Sequence, residues 1–274
     1  MIRQICILLI FIILAVACNP VPEQYTELEP RFVDPGNATL LLLQVDNGEV
    51  FLAESESLFL ELDVQVLLPD KLEYQVSATE DQITVKILSQ DNNSKMPPLR
   101  LVVRVPPQLQ SRIETDRASV MIRDYDGNVE VASTSGNITA EQVSGTFIMR
   151  SNRGNITVRE SAGKVNIVGN YGALTLQDTT GEAAASTIMG NVLYEGLIQM
   201  NDNVRLEADH GAVSVKLSAD SALTLQIRSA TGDVACMLSG IDSTTRTCDG
   251  EVASGGGSLS VRTVSGAVTL QLLP

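Results

Sequence analysis

The feature that most constrains this chain is a glycine at every ninth position over a stretch of the central sequence. Most of these glycines precede an alternating apolar and polar run, such as Gly154-Asn-Ile-Thr-Val. Alternation with a period of two is typical of a strand, and the glycine marks the turn before it. A fixed period of turn and strand predicts a solenoid, in which each unit buries its apolar side by stacking on its neighbours. The glycines are Gly127, Gly136, Gly145, Gly154, Gly163, Gly172, Gly181 and Gly190.

A second period of eighteen residues lies within the first, because alternate turns resemble each other more than adjacent ones do. One set of turns comprises 141–144, 159–162 and 177–180, and the other comprises 132–135, 150–153 and 168–171. This pattern favours an eighteen-residue coil with two strands. The predicted fold class is therefore all-β: a parallel β-solenoid (β-helix) of nine-residue strand-turn units, about two strands per coil, with an N-terminal β-rich cap.

The solenoid repeat region is predicted to span 113–274, with apolar residues at the inward positions of each strand. An insertion of three residues precedes Asn203, and the stretch 237–256 interrupts the pattern. We expect that stretch to be a loop or hairpin that projects from the body. The predicted inward pairs are Ile138/Ala140, Phe147/Met149, Ile156/Val158, Val165/Ile167, Leu174/Leu176, Ala183/Ala185 and Val192/Tyr194.

The Gly-Asn pairs that start several units at Gly127, Gly136, Gly154 and Gly190 are interpreted as turns. Glycine adopts positive φ, asparagine tolerates it, and stacked asparagines can hydrogen-bond along a rod. Calcium-binding nonapeptide repeats need Gly-Gly-x-Gly-x-Asp, which no unit here contains.

Residues 37–112 differ from the repeat and predict a β-rich cap at the N-terminal end, because an exposed last coil would offer unpaired strand edges to other chains. Asp46-Asn47-Gly48 is a strong signal for a hairpin turn. The region is either a small antiparallel unit or the irregular first coils of the solenoid. The predicted strands are Leu40–Val45, Glu49–Ala53, Leu58–Leu67, Leu72–Ala78, Gln82–Leu88 and Leu99–Val105.

The first eighteen residues have the features of a secretory signal. Arg3 precedes the apolar run 5–16, which is shorter than the roughly 20 residues that a spanning helix needs. Small residues before Cys18 resemble a bacterial lipobox, so Cys18 is predicted to carry a lipid anchor. Ala15 stands where that motif usually has a bulky residue, which leaves ordinary signal cleavage open. The proline-rich segment 19–36 then predicts an extended tether.

The chain is acidic, with a net charge of −14 and a pI near 4.5. It has no basic patch and no tryptophan, which argues against nucleic acid as a partner. Of the four cysteines, Cys6 lies in the signal, while Cys236 and Cys248 remain in the body. In an exported protein this pair suggests a disulfide, although Cys236 also fits a small buried hydrophobic residue. With one histidine and no CxxC motif, the chain predicts no zinc site and no cofactor.

A polysaccharide-active enzyme would need convergent carboxylates on one face of the solenoid. Asp209-His210-Gly211 is the one point where a histidine meets carboxylates, and it is interpreted as a solvated turn. No catalytic residue and no metal ligand is therefore assigned. The candidates considered are Asp124, Asp126, Glu130, Asp202, Glu207 and Asp209, with Arg205 and His210.

The strand Leu99–Val105 followed by proline, and the later Ser-Gly-x-Ile/Val units, resemble bacterial adhesin-like domains of unknown function. Such units begin at Ser135, Ser144 and Ser265. The resemblance covers roughly residues 37–274. It implies a β-solenoid on an exported or membrane-attached protein, and it supplies no catalytic residues.

Together these features predict an exported, lipid-anchored adhesin-like protein, held at the cell membrane or surface, with a non-enzymatic binding or scaffolding role. Its expected partners are the membrane, through the anchor, and envelope polysaccharide or surface proteins, met through the flat outer faces or the 237–256 loop. Two alternatives remain open: a polysaccharide-active β-helix enzyme, and a structural protein that self-associates through the solenoid ends.

Overall fold

The computed structural model describes residues 25–89, 99–253 and 255–273, which form strands and one short 3₁₀ turn at Pro69–Lys71. All the strands join one 22-stranded sheet that winds into a rod. Within the described residues no helix is long and apolar enough to cross a membrane. The predicted signal 1–18, with Cys6 and Cys18, and the first part of the tether, 19–24, lie outside the described residues.

The strands in chain order are β1 (Thr26–Glu27), β2 (Arg31–Val33), β3 (Leu40–Val45), β4 (Glu49–Glu54), β5 (Leu60–Val66), β6 (Leu72–Ala78), β7 (Gln82–Ser89), β8 (Leu99–Val105), β9 (Gln110–Thr115), β10 (Ser119–Ser133), β11 (Ile138–Ser151), β12 (Ile156–Gly169), β13 (Leu174–Thr187), β14 (Val192–Gly196), β15 (Asn203–Ala208), β16 (Val213–Leu217), β17 (Leu223–Ser229), β18 (Val234–Cys236), β19 (Asp242–Ser243), β20 (Thr247–Val252), β21 (Gly257–Thr263) and β22 (Val268–Leu272).

The eighteen-residue coil is confirmed, because β10 to β13 pair in parallel with each residue opposite the one eighteen positions later, as Ile138 is opposite Ile156. Each of these long strands bends once, at a residue with φ between 50° and 55°, and so contributes to two sides of the rod. We call the side formed by the second halves of β10–β13 face A and the side formed by their first halves face B. The bend residues are Asp124, Gln142, Glu160 and Asp178.

The core lies between the two faces and contains all the inward pairs predicted from the repeat. Phe147 and Tyr194 are the largest fully buried side chains, with no exposed surface. Since the inward positions recur in register from coil to coil, like apolar side chains stack directly on each other. Burial of each large apolar side chain contributes about 1.5–3 kcal/mol before chain entropy is subtracted.

The glycines of the repeat serve two different steric purposes. Gly127, which starts one of the Gly-Asn pairs, has φ 155°, as the positive-φ interpretation predicts, and Gly145 at the same position of the next coil has φ 116°. Gly154, at the turn between coils, does not have positive φ. A Cβ atom there would lie 2.0 Å from the carbonyl oxygen of Gly136 in the preceding coil. The turn glycines are therefore needed for close backbone approach, and the prediction of positive φ is wrong for them.

The predicted asparagine ladder is present at the same turns. The backbone N–H of Asn155 donates to Asn137 Oδ1 at 2.9 Å, and the backbone N–H of Ala173 donates to Asn155 Oδ1 at 2.8 Å. Further along, the Ala212 amide donates to Asn191 Oδ1 at 3.0 Å. The Gly-Asn turns at Gly136, Gly154 and Gly190 thus bond the next coil through the asparagine side chain as well as through the backbone.

The predicted hairpin at Asp46–Gly48 is wrong, although the strands on both sides of it are correct. β3 pairs with β7 and β9, whereas β4 pairs with β8 and β10, so the two strands lie on different faces. The Asp46 carbonyl accepts from Arg117 N at 2.7 Å, which stacks this turn on the next coil. The turn is therefore a coil turn, and the N-terminal region continues the solenoid directly.

The order of coils along the rod departs from chain order at both ends. The β3–β4 coil lies between β7–β8 and β9–β10. Likewise the last coil, β21–β22, lies between β15–β16 and β17–β18. The β3–β4 and β21–β22 coils are therefore hydrogen-bonded on both sides, while other segments form the ends of the rod.

Two further expectations are corrected by strand pairing. Part of the predicted tether 19–36 is not free, because β1 and β2 pair antiparallel with β5 at the edge of face B. The stretch 237–256 contains the expected hairpin, formed by β19 and β20, but it does not project from the body, because β20 pairs antiparallel with β17 over six residues. Antiparallel strands thus cover parallel edges that would otherwise be exposed.

At the C-terminal end the structure joins Cys236 of β18 to Cys248 of β20 as a disulfide, with the Cα atoms 6.2 Å apart. Cys248 is fully buried. Since β18 belongs to face B and β20 pairs with β17 of face A, this bond connects the two faces at this end of the rod.

We expect Gly154→Ala to destabilise the rod by about 3 kcal/mol, because the added methyl group would force two stacked coils apart. Gly169→Ala is the matched control, since a Cβ there meets first the flexible side chain of Leu174, at 3.0 Å. Urea unfolding followed by circular dichroism measures both. Equal stability of the two variants would contradict the role of close backbone approach.

We expect the Cys236→Ser/Cys248→Ser double variant to lose about 3 kcal/mol of stability, because the bond closes a short loop in the unfolded chain. Adding reductant to the native chain should produce the same loss and leave the double variant unchanged. Urea unfolding with and without reductant checks both. A native chain that is insensitive to reductant would show that the thiols are free.

Candidate binding groove

A groove of about 670 Å³ runs along the rod where the strands of face A enter their turns. It crosses β3, β9, β10, β11 and β12, so each coil contributes the same position of its repeat to the lining. The polar residues that line it are Gln44, Asp46, Glu114, Thr115, Asp116, Ser133, Thr134, Arg150, Ser151, Asn152 and Asn170. We call this feature the polar groove.

The shape of the polar groove follows from one row of outward side chains in register. Glu114, Ala132, Arg150 and Val168 occupy neighbouring strands of that row. Ala132 is short and lies between the longer Glu114 and Arg150, which stand two strand spacings apart, about 9.6 Å. The small side chain therefore forms a floor between an acidic and a basic wall.

Exposed ion pairs hold the charged walls. Glu114 accepts from Arg112 Nε at 3.1 Å and from Gln44 Nε2 at 3.0 Å, while Arg150 donates to Glu130 Oε1 at 2.7 Å. About half of the Arg150 side chain is exposed. Exposed pairs of this kind contribute about 0–1 kcal/mol. Arg150 can therefore exchange its partner for a ligand at small cost.

The turn side of the groove carries neutral polar groups. Asn170 Nδ2 donates to Asn152 Oδ1 at 2.9 Å, so the two amides form a ladder along the rod. Tyr171 follows Asn170 in the chain and is 52% exposed. Amides, hydroxyls and a guanidinium with an exposed aromatic ring can donate, accept and pack against a polar ligand that also has apolar patches.

Beyond Tyr171 the same edge of the rod becomes apolar. Met189 N donates to the Asn170 carbonyl at 2.8 Å, which places Met189 in the coil after the groove. Ile188 and Met189 are about half exposed, and Val264 is 40% exposed in a later coil. The edge is thus polar over its first coils and apolar over the following ones.

Most of the candidate catalytic carboxylates have structural roles. Asp124 occupies a bend with φ 50°, and Glu130 holds Arg150. Asp202 accepts from the backbone amides of Gln199 and Gly181 at 2.7 and 2.8 Å, which closes the loop before β15. The exposed Asp126 lies on the bend of β10, away from Asp202 on β15.

The remaining candidates meet at a small cleft of about 240 Å³, lined by Glu207, Asp209 and Arg262 among others. Glu207 is held by Arg205 at 2.7 Å. His210 lies in the adjoining turn, where its Nδ1 is 2.8 Å from Ser265 Oγ. Arg262 and Ser265 were not expected here, because β21 reaches this position only through the change in coil order.

Face B presents a different surface, in which charges neutralise each other along the rod. Glu141 forms ion pairs with Arg123 and Arg159 of the two adjacent coils. The hydrogen bond from Arg123 is the main cause that holds the pKa of the Glu141 carboxyl below its ordinary value. Beside this ladder lie stacked threonines at 139, 157 and 175. With its charges paired in this way, face B is less suited than the groove to bind a ligand.

The part of the chain that the structure describes contains no group of three or more histidine, cysteine, aspartate or glutamate residues placed to hold a metal ion.

Comparison with known proteins shows what the rod is similar to. A putative adhesin from Parabacteroides distasonis ATCC 8503 has a solved structure with a TM-score of 0.55 and 12% identity, covering 91% of this chain and 98% of that chain. Another, from Parabacteroides merdae ATCC 43184, has a TM-score of 0.48 and 12% identity over 92% of this chain and 98% of that chain. At 12% identity, the similarity to the Parabacteroides distasonis structure shows the fold alone. No curated protein matches the sequence.

The family comparison covers most of the chain. The Toastrack DUF4097 model matches residues 41–271, from the first long strand to the last. The match includes the repeat, the N-terminal coils and the stretch 237–256, which agrees with one continuous solenoid. This chain therefore belongs to the Toastrack DUF4097 family.

Proposed function

We propose that this protein is an exported, lipid-anchored module that binds polysaccharide of the bacterial envelope without cleaving it. The observation that carries the proposal is the polar groove of face A, where successive coils contribute carboxylate, hydroxyl, guanidinium and amide groups along the rod. The adhesin names of proteins with a similar fold are consistent with this role.

A linear polymer suits the groove because both are periodic. The coils repeat every 4.8 Å or so, and each presents the same backbone position to the groove. Asn152 and Asn170 supply one amide in each of two adjacent coils, and Arg150 supplies a charge-assisted donor. A long sugar chain can contact several of these groups at once, so weak individual contacts add up.

Anchoring is supported by the sequence before the rod. The predicted lipid site, Cys18, lies seven residues before Tyr25, where the described body starts. Seven residues span at most about 25 Å when fully extended. An anchor at Cys18 would hold the N-terminal end of the rod close to a membrane, with the groove a few coils further along.

The alternative of a polysaccharide-active enzyme keeps one supporting observation, the cleft shared by Glu207, Asp209 and Arg262. Glu207 and Asp209 are two positions apart on one chain segment, so their Cα atoms are roughly 7 Å apart. A glycosidase needs two carboxyl groups that flank the bond to be cleaved. Product release that is abolished by Asp209→Asn would favour this alternative.

We expect saturable binding when the chain from Asn19 onwards is titrated calorimetrically with polysaccharide purified from the bacterium's own envelope. Arg150→Ala should weaken that binding about tenfold, because it removes a charge-assisted hydrogen bond from the groove. Assay of the same mixtures for new reducing ends should show none.

The matched control is Arg159→Ala on face B. Arg159 is exposed to the same extent as Arg150 and likewise pairs with one glutamate. The Arg159→Ala variant should bind the polysaccharide as tightly as the native chain does. Equal weakening by both variants would argue against the groove, and appearance of reducing ends would overturn the non-enzymatic role.

A further inference from the structure

The sheet of the rod has four ends, and three of them terminate in very short strands. Face B ends in β1 and β2 on one side and in β18 on the other, with two or three residues each. Face A ends at one side in the two-residue strand β19. Very short edge strands are one way in which proteins prevent unwanted pairing with other chains.

The fourth end is different, because it terminates in the seven-residue strand β6. Among the described residues β6 pairs with β7 alone, in an antiparallel register without a bulge. The Leu72 N–H bonds to the Pro69 carbonyl, so the outer side that can add a strand runs from Glu73 to Ala78. Such an edge can add a further strand through main-chain hydrogen bonds.

The register shows which backbone groups point outward. Thr79 N donates to the Gln82 carbonyl at 2.8 Å and closes the turn between β6 and β7. Since hydrogen-bonded and non-hydrogen-bonded pairs alternate along an antiparallel ladder, Gln75 bonds to β7. By the same alternation, the N–H and C=O groups of Tyr74 and Val76 point away from β7.

We propose that the outer edge of β6 binds β6 of a second copy of this chain, antiparallel and about a two-fold axis at Gln75. In that register Tyr74 of each copy is opposite Val76 of the other, and their outward groups form four main-chain hydrogen bonds. The paired stretch runs from Glu73 to Ser77 in each copy. The result is an isologous dimer in which face A runs through both rods.

The side chains of β6 suit this self-pairing. Tyr74 opposite Val76 is an aromatic and β-branched cross-strand pair, which is favourable. Glu73 is opposite Ser77, so the one charged residue of the strand does not meet its own copy. The guanidinium of Arg31 lies 4.3 Å from the centre of the Tyr74 ring and holds this ring in place before association.

The test uses Gln75, because it is exposed and lies on the proposed axis, opposite itself. In the single chain Gln75 Nε2 donates to Glu73 Oε1 at 2.7 Å, so Gln75→Glu loses this hydrogen bond, while Lys86 of β7 stays opposite the new carboxylate. In the dimer this substitution places two like charges directly opposite each other. Sedimentation velocity of the full chain, in density-matched detergent, should show a concentration-dependent dimer whose dissociation constant rises about fivefold or more in Gln75→Glu.

The matched variant Gln75→Lys should dimerise as poorly as Gln75→Glu, whereas an equimolar mixture of the two should dimerise at least as well as the native chain. That rescue requires opposite charges on the axis. A native chain that stays monomeric at all concentrations, or a mixture that shows no recovery, would overturn the proposal. Slow amide exchange of Tyr74 and Val76 in the monomer would also overturn it, because another part of the chain would then cover the edge.

Discussion

The rod depends on the close approach of backbone to backbone at the turns between coils. A turn glycine such as Gly154 lies directly on the carbonyl of the glycine one coil before it, with no room for a Cβ atom. This contact sets the stacking register. The register in turn aligns the inward apolar side chains and the Asn137–Asn155 ladder. Loss of the contact would therefore disturb the core and the polar turns together, since both repeat with the same coil.

The same strict repetition creates the candidate binding surface. Because every coil offers equivalent outward positions, small changes of residue type along a row shape the surface. Ala132 between Glu114 and Arg150 makes a depression, whereas Arg123, Glu141 and Arg159 in the corresponding row of face B form a closed ladder of ion pairs. One solenoid thus carries a groove with exchangeable polar groups on one side and a neutralised surface on the other.

The ends of the rod include antiparallel strands, whereas its middle is built from parallel ones. Repetition leaves parallel strand edges exposed, and the chain covers them with antiparallel strands from segments that do not obey the repeat. β20 covers β17, and β5 with β1 and β2 covers β8. These segments looked like a loop, a tether and an antiparallel unit in the sequence, since they lack the glycine spacing that marks the stacked coils. β6 covers β7 in the same way but keeps a long outer edge of its own.

The sequence by itself determined the coil, because a nine-residue glycine period and alternating apolar residues have local causes: turn geometry and the two-sided strand. It therefore predicted the buried pairs from Ile138 to Tyr194 and the strands from Leu40 to Val105 closely. Only the tertiary structure decided the order of the coils, the Asp46–Gly48 coil turn, and the cleft where Arg262 meets Glu207 and Asp209. Those features depend on which distant strands become neighbours. Every coil presents similar edges to its neighbours, so local sequence favours several stacking orders and long-range packing selects one.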